Sequence, residues 1–189
     1  MLSSRKFLSL PIISVREGRQ LGFVRNIVIN PKTKTVAALI VDPRRFFKEQ
    51  RIIPFNRVVN IGENAITINT ESQVERAANL PDILQLIKEK VALIGIKVLT
   101  EKGKKIGVVD EFYINIPEGT ISIIDISTRA FNLKVRLKAE EIITMGADVL
   151  IVAEDCEQRM EVISKGVREN VKTLFHQTQT KLSRKQPKN

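Results

Sequence analysis

Apolar residues fall in short runs along most of the chain, and the runs are broken by glycine, proline and polar turns. FVRNIVI (23–29), VAALIV (36–41) and RIIPF (51–55) are rich in Val, Ile and Phe and too short for helices, so each reads as a β-strand. In the first, the inward positions are 24, 27 and 29. A step of three followed by a step of two breaks strict alternation, and one extra residue at a β-bulge produces that step and bends the strand. Gly18 stands in the turn before this strand and Gly22 at its entry. A glycine at such an entry marks a positive φ or a backbone approach too close for a Cβ.

The pattern is then written a second time. With the chain slid by 85 positions, GRQLGFVRNIVIN (18–30) lies on GKKIGVVDEFYIN (103–115), so Gly18 meets Gly103 and Gly22 meets Gly107. The spacing 24, 27, 29 recurs as 109, 112, 114, and VAALIV meets ISIIDI (121–126). One deletion later, at a shift of 84, RVVNIGENAITI (57–68) lies on EIITMGADVLIV (141–152). Self-similarity of this kind marks a duplicated unit. Two copies are too few for a solenoid, so the pattern predicts two tandem all-β domains. NPKTKT (30–35) and NIPEGT (115–120) serve as hairpin turns.

Two segments carry helical spacing instead. Pro81 and Asp82 open a helix over which Ile83, Leu84, Leu86 and Ile87 share a face, with Lys88 and Lys90 at its C-terminal end. After Asp155, Met160, Ile163, Val167, Val171 and Leu174 step by three or four, with Arg159, Lys165, Arg168 and Lys172 opposite. The expected organisation is therefore a first domain over 1–71, a linker helix within 72–92 and a second domain over 93–155. A C-terminal amphipathic helix follows over 156–178, then a basic disordered tail over 179–189. FLSLPIISV (7–15) reads as the first strand rather than a signal peptide, because Pro11 and Arg16 interrupt it and no small-residue cleavage site follows.

The net charge of +10 is unevenly placed. Residues 1–79 carry 13 Lys/Arg against 6 Asp/Glu, residues 80–155 carry 10 against 12, and residues 156–189 carry 8 against 3. Two basic segments flanking a near-neutral one point to an anionic partner, or to solubility alone. The single cysteine, Cys156, rules out an internal disulfide and agrees with a cytoplasmic location.

Catalytic chemistry finds little support. The only histidine, His176, lacks the partners of a nucleophilic triad. One Cys and one His cannot make a zinc site, and no cofactor or metal is expected. Asp110-Glu111 and Glu140-Glu141 are adjacent pairs that read as solvated surface. EKGKKIG (101–107) lacks the spacing of a phosphate-binding loop. The most distinctive stretch is DPRRFFKEQR (42–51), in which basic groups surround two phenylalanines. Arg44 and Phe46 recur in the second copy as Arg129 and Phe131, which favours a structural role for them. Arg45, Phe47 and Lys48 belong to the first copy only.

The doubled pattern G-x-x-[LI]-G-x-V-x-x-[IF]-x-I-N resembles the PRC-barrel domain. It is carried by Gly18, Leu21, Gly22, Val24, Ile27 and Ile29, and again by Gly103, Ile106, Gly107, Val109, Phe112 and Ile114. The resemblance spans roughly 8–70 and 93–154. It implies a small six-stranded barrel without catalysis of its own, with relatives in the photosynthetic reaction-centre H subunit and in a ribosome maturation factor. The fold class expected is thus all-β with minor α, two tandem PRC-like barrels plus two helices. The expected function is a non-enzymatic adaptor for a protein or ribonucleoprotein partner, linked to ribosome assembly, with RNA contact open. Its contacts would be Arg44, Arg45, Phe47, Lys48 and Arg51 with Arg168 and Lys172, while Gly18, Gly22, Gly103 and Gly107 would be structural. The alternative is a peripheral membrane regulator that binds anionic lipid through the C-terminal helix. Pairing of that helix between copies is a third use of its apolar face.

Overall fold

The computed structural model describes residues 1–43, 50–128 and 133–163. After a short β1 (Leu2–Ser3) and α1 (Ser4–Leu8), the first repeat runs β2 (Pro11–Ser14), β3 (Arg19–Asn30), β4 (Thr35–Pro43), β5 (Arg51–Pro54), β6 (Val58–Ile61), β7 (Ile66–Ile68) and β8 (Glu75–Arg76). Helix α2 (Pro81–Glu89) follows. The second repeat has β9 (Lys97–Thr100), β10 (Lys105–Asn115), β11 (Thr120–Ser127), β12 (Lys134–Lys138), β13 (Ile142–Met145), β14 (Val149–Val152) and β15 (Glu161–Val162).

The two repeats have the same topology. The order is β6-β7-β2-β3-β4-β5-β8 in the first and β13-β14-β9-β10-β11-β12-β15 in the second. β2 pairs parallel with β7 and β9 parallel with β14, and every other pairing is antiparallel. The long strands β3 and β10 bend where the register slips, between Val24 and Asn26 and between Val109 and Glu111. Those are the bulges that the three-then-two spacing predicts. Gly18 and Gly103 hold φ of 58° and 81° in the turns, where a side chain is disfavoured. Gly22 and Gly107 sit against a carbonyl of the next strand, Asp42 O and Ser127 O, and a Cβ at either would collide with it.

Three expectations change. Each repeat has a seventh strand, β8 or β15, laid on the outer edge of β5 or β12. The second of these falls where the sequence pattern predicts the start of the C-terminal helix. Cys156–Arg159 forms a 3-10 turn, Met160 is buried, and the Ile163 amide donates to Lys134 O at 2.9 Å. Apolar residues three apart suit this turn-and-strand path as well as a helix, and the ladder on β12 decides between them. Residues 164–178 and the tail lie outside the described residues. At the N-terminus the strand expected over 7–15 is confined to Pro11–Ser14, and Ser4–Leu8 forms a short helix whose N-cap is the Ser3 hydroxyl, accepting from the Lys6 amide.

The third change concerns separateness. The repeats do not stand as two isolated barrels. Each is a curled sheet, and Thr35 of β4 pairs with Thr120 of β11, so the fifteen strands among the described residues belong to one network. One apolar core runs through both repeats, from Phe7, Leu10 and Ile12 to Leu150, Val152 and Met160. A smaller cluster lies on the outer face of the first repeat, where α2 covers Val28, Ala38, Ile40 and Ile52 with Ile83, Leu84, Leu86 and Ile87.

Candidate functional site

The seam between the repeats is built from two pseudo-equivalent contacts that differ in chemistry. The hairpin turns β3–β4 and β10–β11 meet head to head. The Val36 amide donates to Gly119 O and the Ile121 amide to Lys34 O, both at 2.9 Å. Each turn then reaches the 3-10 turn of the other repeat. On one side Phe55 lies against Gly119, whose φ is 73° and whose missing Cβ leaves room for the ring. On the other, Ala139 stands at the position of Phe55, and Lys34 stands at the position of Gly119. The Lys34 ammonium donates to Ala139 O at 3.2 Å and to Ile142 O at 2.5 Å. A large residue facing a gap has become a small residue facing a long side chain.

The N-terminus ties the repeats a second time. β1 pairs with β10 through Leu2–Ile114 and Ser3–Tyr113. The buried Glu111 carboxylate accepts from the Ser4 amide at 3.1 Å, from the Ser4 hydroxyl and from the Phe112 amide at 3.0 Å, with Arg5 Nε at 3.6 Å. Asp110 pairs with Lys134 at 2.5 Å and with Arg5 at 3.2 Å. The Lys134 hydrogen bond holds the Asp110 carboxyl below its ordinary value, ahead of the smaller effect of Arg5. The adjacent acids expected to be solvated surface are thus fastening points. The bulge at Asp110 turns two neighbouring side chains to useful partners, which strict alternation would forbid.

The outer face of the second repeat holds a polar network where the first has an apolar patch. Asp125 and Arg136 occupy the positions of Ile40 and Ile52, and in each repeat the two are cross-strand partners. Arg136 donates from Nε to Asp125 Oδ1 at 2.8 Å and from Nη2 to Oδ2 at 2.9 Å. The Tyr113 hydroxyl donates to Asp125 Oδ2 at 2.9 Å, and the guanidinium lies 4.8 Å from the Tyr113 ring centroid. Asp125 is buried, which such a carboxylate tolerates because it is paired bidentately. The Asp125 bond raises the Arg136 pKa, and burial is the main cause of the raised Tyr113 pKa. The polar Asp125 inside the run ISIIDI was the signal for this network in the sequence.

Two clefts open along the seam. One, of about 560 Å³, is lined by Phe55, Val58, Ile83, Ile116 and Pro117 with Asn60 and Glu118. The peptide bond between Ile116 and Pro117 is cis. The other, of about 470 Å³, lies among Leu8, Val28, Leu86, Ile87 and Phe112, with Arg5 and Lys90 at its wall. Cys156 is fully buried, and burial pushes its thiol up to about 11.

Of the expected contact residues, Arg51 alone lies among those described. It begins β5, and its register partner on β8 is Arg76. Arg44, Arg45, Phe47 and Lys48, together with Arg168 and Lys172, lie outside the described residues. Among the described residues there is no group of three His, Cys, Asp or Glu side chains placed to hold a metal. Nor is any helix among them long and apolar enough to cross a membrane.

These features define a doubled, curled β-sheet scaffold whose outer surfaces, rather than an inner cavity, vary between its halves. The PRC-barrel domain model matches residues 1–74 and again 91–159. The chain belongs to the PRC-barrel family, as a tandem pair. No curated protein matches it.

Proposed function

We propose that this chain is a non-enzymatic interaction module whose basic first repeat docks on an anionic assembly, a ribonucleoprotein or an acidic protein partner. PRC-barrel domains are in general small binding modules without catalysis of their own. One observation carries the reading further. Arg51 and Arg76 stand opposite one another on β5 and β8, at the end of the sheet from which the 44–49 segment departs. In the sequence Arg44, Arg45 and Lys48 precede Arg51 by seven residues or fewer. Basic residues clustered in this way would serve orientation and encounter with a polyanion.

The test is capture of partners from native lysate by tagged full-length protein, at two salt concentrations, with and without nuclease. The reading expects capture that falls at higher salt and is lost in an Arg44→Ala/Arg45→Ala/Lys48→Ala variant. Capture that is indifferent to both salt and those substitutions would overturn it. Loss on nuclease treatment identifies the partner as a ribonucleoprotein, and persistence identifies it as an acidic protein.

A further inference from the structure

Lys34 belongs to the first repeat and serves the second. Its ammonium donates to Ala139 O and Ile142 O, at the start and just past the end of the 3-10 turn Ala139–Glu141. Lys34 does so from a φ of 56°, in the left-handed region that residues with a side chain rarely adopt. Glycine stands at the pseudo-equivalent position, Gly119, with a φ of 73°. The strain of a lysine in that conformation is offset by two charge-assisted hydrogen bonds. The first repeat has the same 3-10 turn, Phe55–Arg57, and the same two carbonyls, Phe55 O and Val58 O. The local bond is also the same: the Val58 amide donates to Phe55 O as the Ile142 amide does to Ala139 O. Gly119 brings no side chain to this pair, and among the described residues no other side chain donates to it. The cleft of about 560 Å³ is lined by this turn. Its wall is apolar, from Phe55, Val58, Val59, Ile83 and Ile116, and the one charged group in it is the exposed Glu118. Glu118 forms no ion pair among the described residues, and Arg57 of the turn is engaged by Glu75.

We propose that this cleft receives a lysine side chain of a partner protein, carried on an extended segment laid along β6. The partner supplies in trans the alkylammonium that Lys34 supplies to the second repeat. Three observations favour that occupant. The Lys34 contact is the first, since it shows which group the same pair of carbonyls takes in the other half. Charge is the second: an unpaired carboxylate is the only charge in the wall, and a primary ammonium has three hydrogens to share between it and the carbonyls. The apolar wall accepts the alkyl stem, and an aromatic ring beside it suits a cation. The edge is the third. β6 borders the cleft, pairs only with β7 and leaves Val59 exposed, so it can take an added strand, which a free amine cannot provide. The inference goes beyond the function proposed above. It concerns the seam and a cationic group, and it stands or falls independently of the 44–51 stretch.

The probe is the peptide acetyl-Val-Lys-Val-amide, titrated into the full chain, and the readout is the methyl NMR shifts of Val59, Ile83 and Ile116. A second peptide with norleucine in place of lysine keeps the stem and removes the ammonium. The lysine peptide should give saturable shifts, and the norleucine peptide should bind about tenfold more weakly. Glu118→Gln, at an exposed position, should weaken the lysine peptide by about fivefold and leave the norleucine peptide unchanged. A Phe55→Ala/Gly119→Lys variant rebuilds the arrangement of the second repeat, and it should no longer prefer the lysine peptide. Equal binding of the two peptides, an absence of saturable shifts, or lysine binding indifferent to Glu118→Gln would overturn the proposal. So would equally strong shifts from n-butylammonium at the same concentration, because the ligand would then be a free amine. Should the double variant misfold, the wild-type chain and Glu118→Gln still decide.

Discussion

The two outer faces show what duplication leaves fixed and what it frees. Inside, the halves agree: Val24, Ile27 and Ile29 do for the first what Val109, Phe112 and Ile114 do for the second, and all six are buried. Outside, Ile40 and Ile52 under α2 correspond to Asp125 and Arg136 beside Tyr113. The same cross-strand pair is apolar in one copy and ionic in the other. Each solution is internally consistent, because apolar side chains gain by being covered and a buried charge requires a partner with good geometry. Mixing them is what the molecule cannot tolerate.

The comparison breaks most severely at Ile40. Ile40→Asp places the residue of the second repeat under the helix of the first, with no arginine opposite. It is expected to destabilise the protein by about 3–5 kcal/mol in urea unfolding, the cost of an unpaired buried charge. Adding Ile52→Arg should recover part of that loss, and no recovery would mean that the pair does not transfer between repeats. The seam comes next. Gly119→Ala puts a Cβ against the Phe55 ring at a φ of 73°, at an expected cost of about 1–3 kcal/mol. Because part of that cost is the contact, it should shrink in a Phe55→Ala background, and a double-mutant cycle measures the difference.

Cys156 supplies a pH test confined to the second repeat. Its folded-state pKa, about 11, exceeds the ordinary value of 9. The stability tied to the neutral thiol is therefore fully present below pH 9 and is lost as pH rises toward 11. By pH 10 the loss should be about 1 kcal/mol relative to Cys156→Ala, which lacks the titration. The smallest effect belongs to a pair of ion pairs. Arg57 binds Glu75 in the first repeat, and Glu141 binds Arg159 in the second, with the same sequence separation and the charges exchanged. Exchanging the first pair, Arg57→Glu/Glu75→Arg, should alter stability by no more than about 0.5 kcal/mol, since such partly exposed pairs contribute little. A larger change would mean that the orientation of the pair matters.

The interior of this fold is legible in its sequence because burial and the pleat act locally. The bulges, the turn glycines and the close-approach glycines each follow from a residue type at a fixed spacing. The seam is less legible. Phe55 against Gly119 and Lys34 against Ala139 join residues far apart in sequence, and their complementarity becomes apparent only when the repeats are superposed. The last strand of each repeat is hidden for a different reason. β8 and β15 are two residues long, and Met160 and Ile163 suit a helix as well as a strand until the edge of β12 is known to need a partner. The acids at 110 and 111 are misread because alternation predicts one side chain per face, and the bulge suspends that rule. The basic stretch at 44–48 is evident in the sequence, but only Arg51 of its neighbourhood is placed by the structure.

The two repeats share one core and one seam, and should therefore unfold together. Equilibrium urea unfolding of the full chain tests it most directly, with one reporter in each half. A Phe23→Trp variant reports on the first repeat from an exposed position. Pulse labelling of Cys156, the only thiol and a buried one, reports on the second. A shared core predicts a single transition with coincident midpoints for both probes. Two midpoints clearly separated in urea would show that the halves unfold independently, and would contradict it.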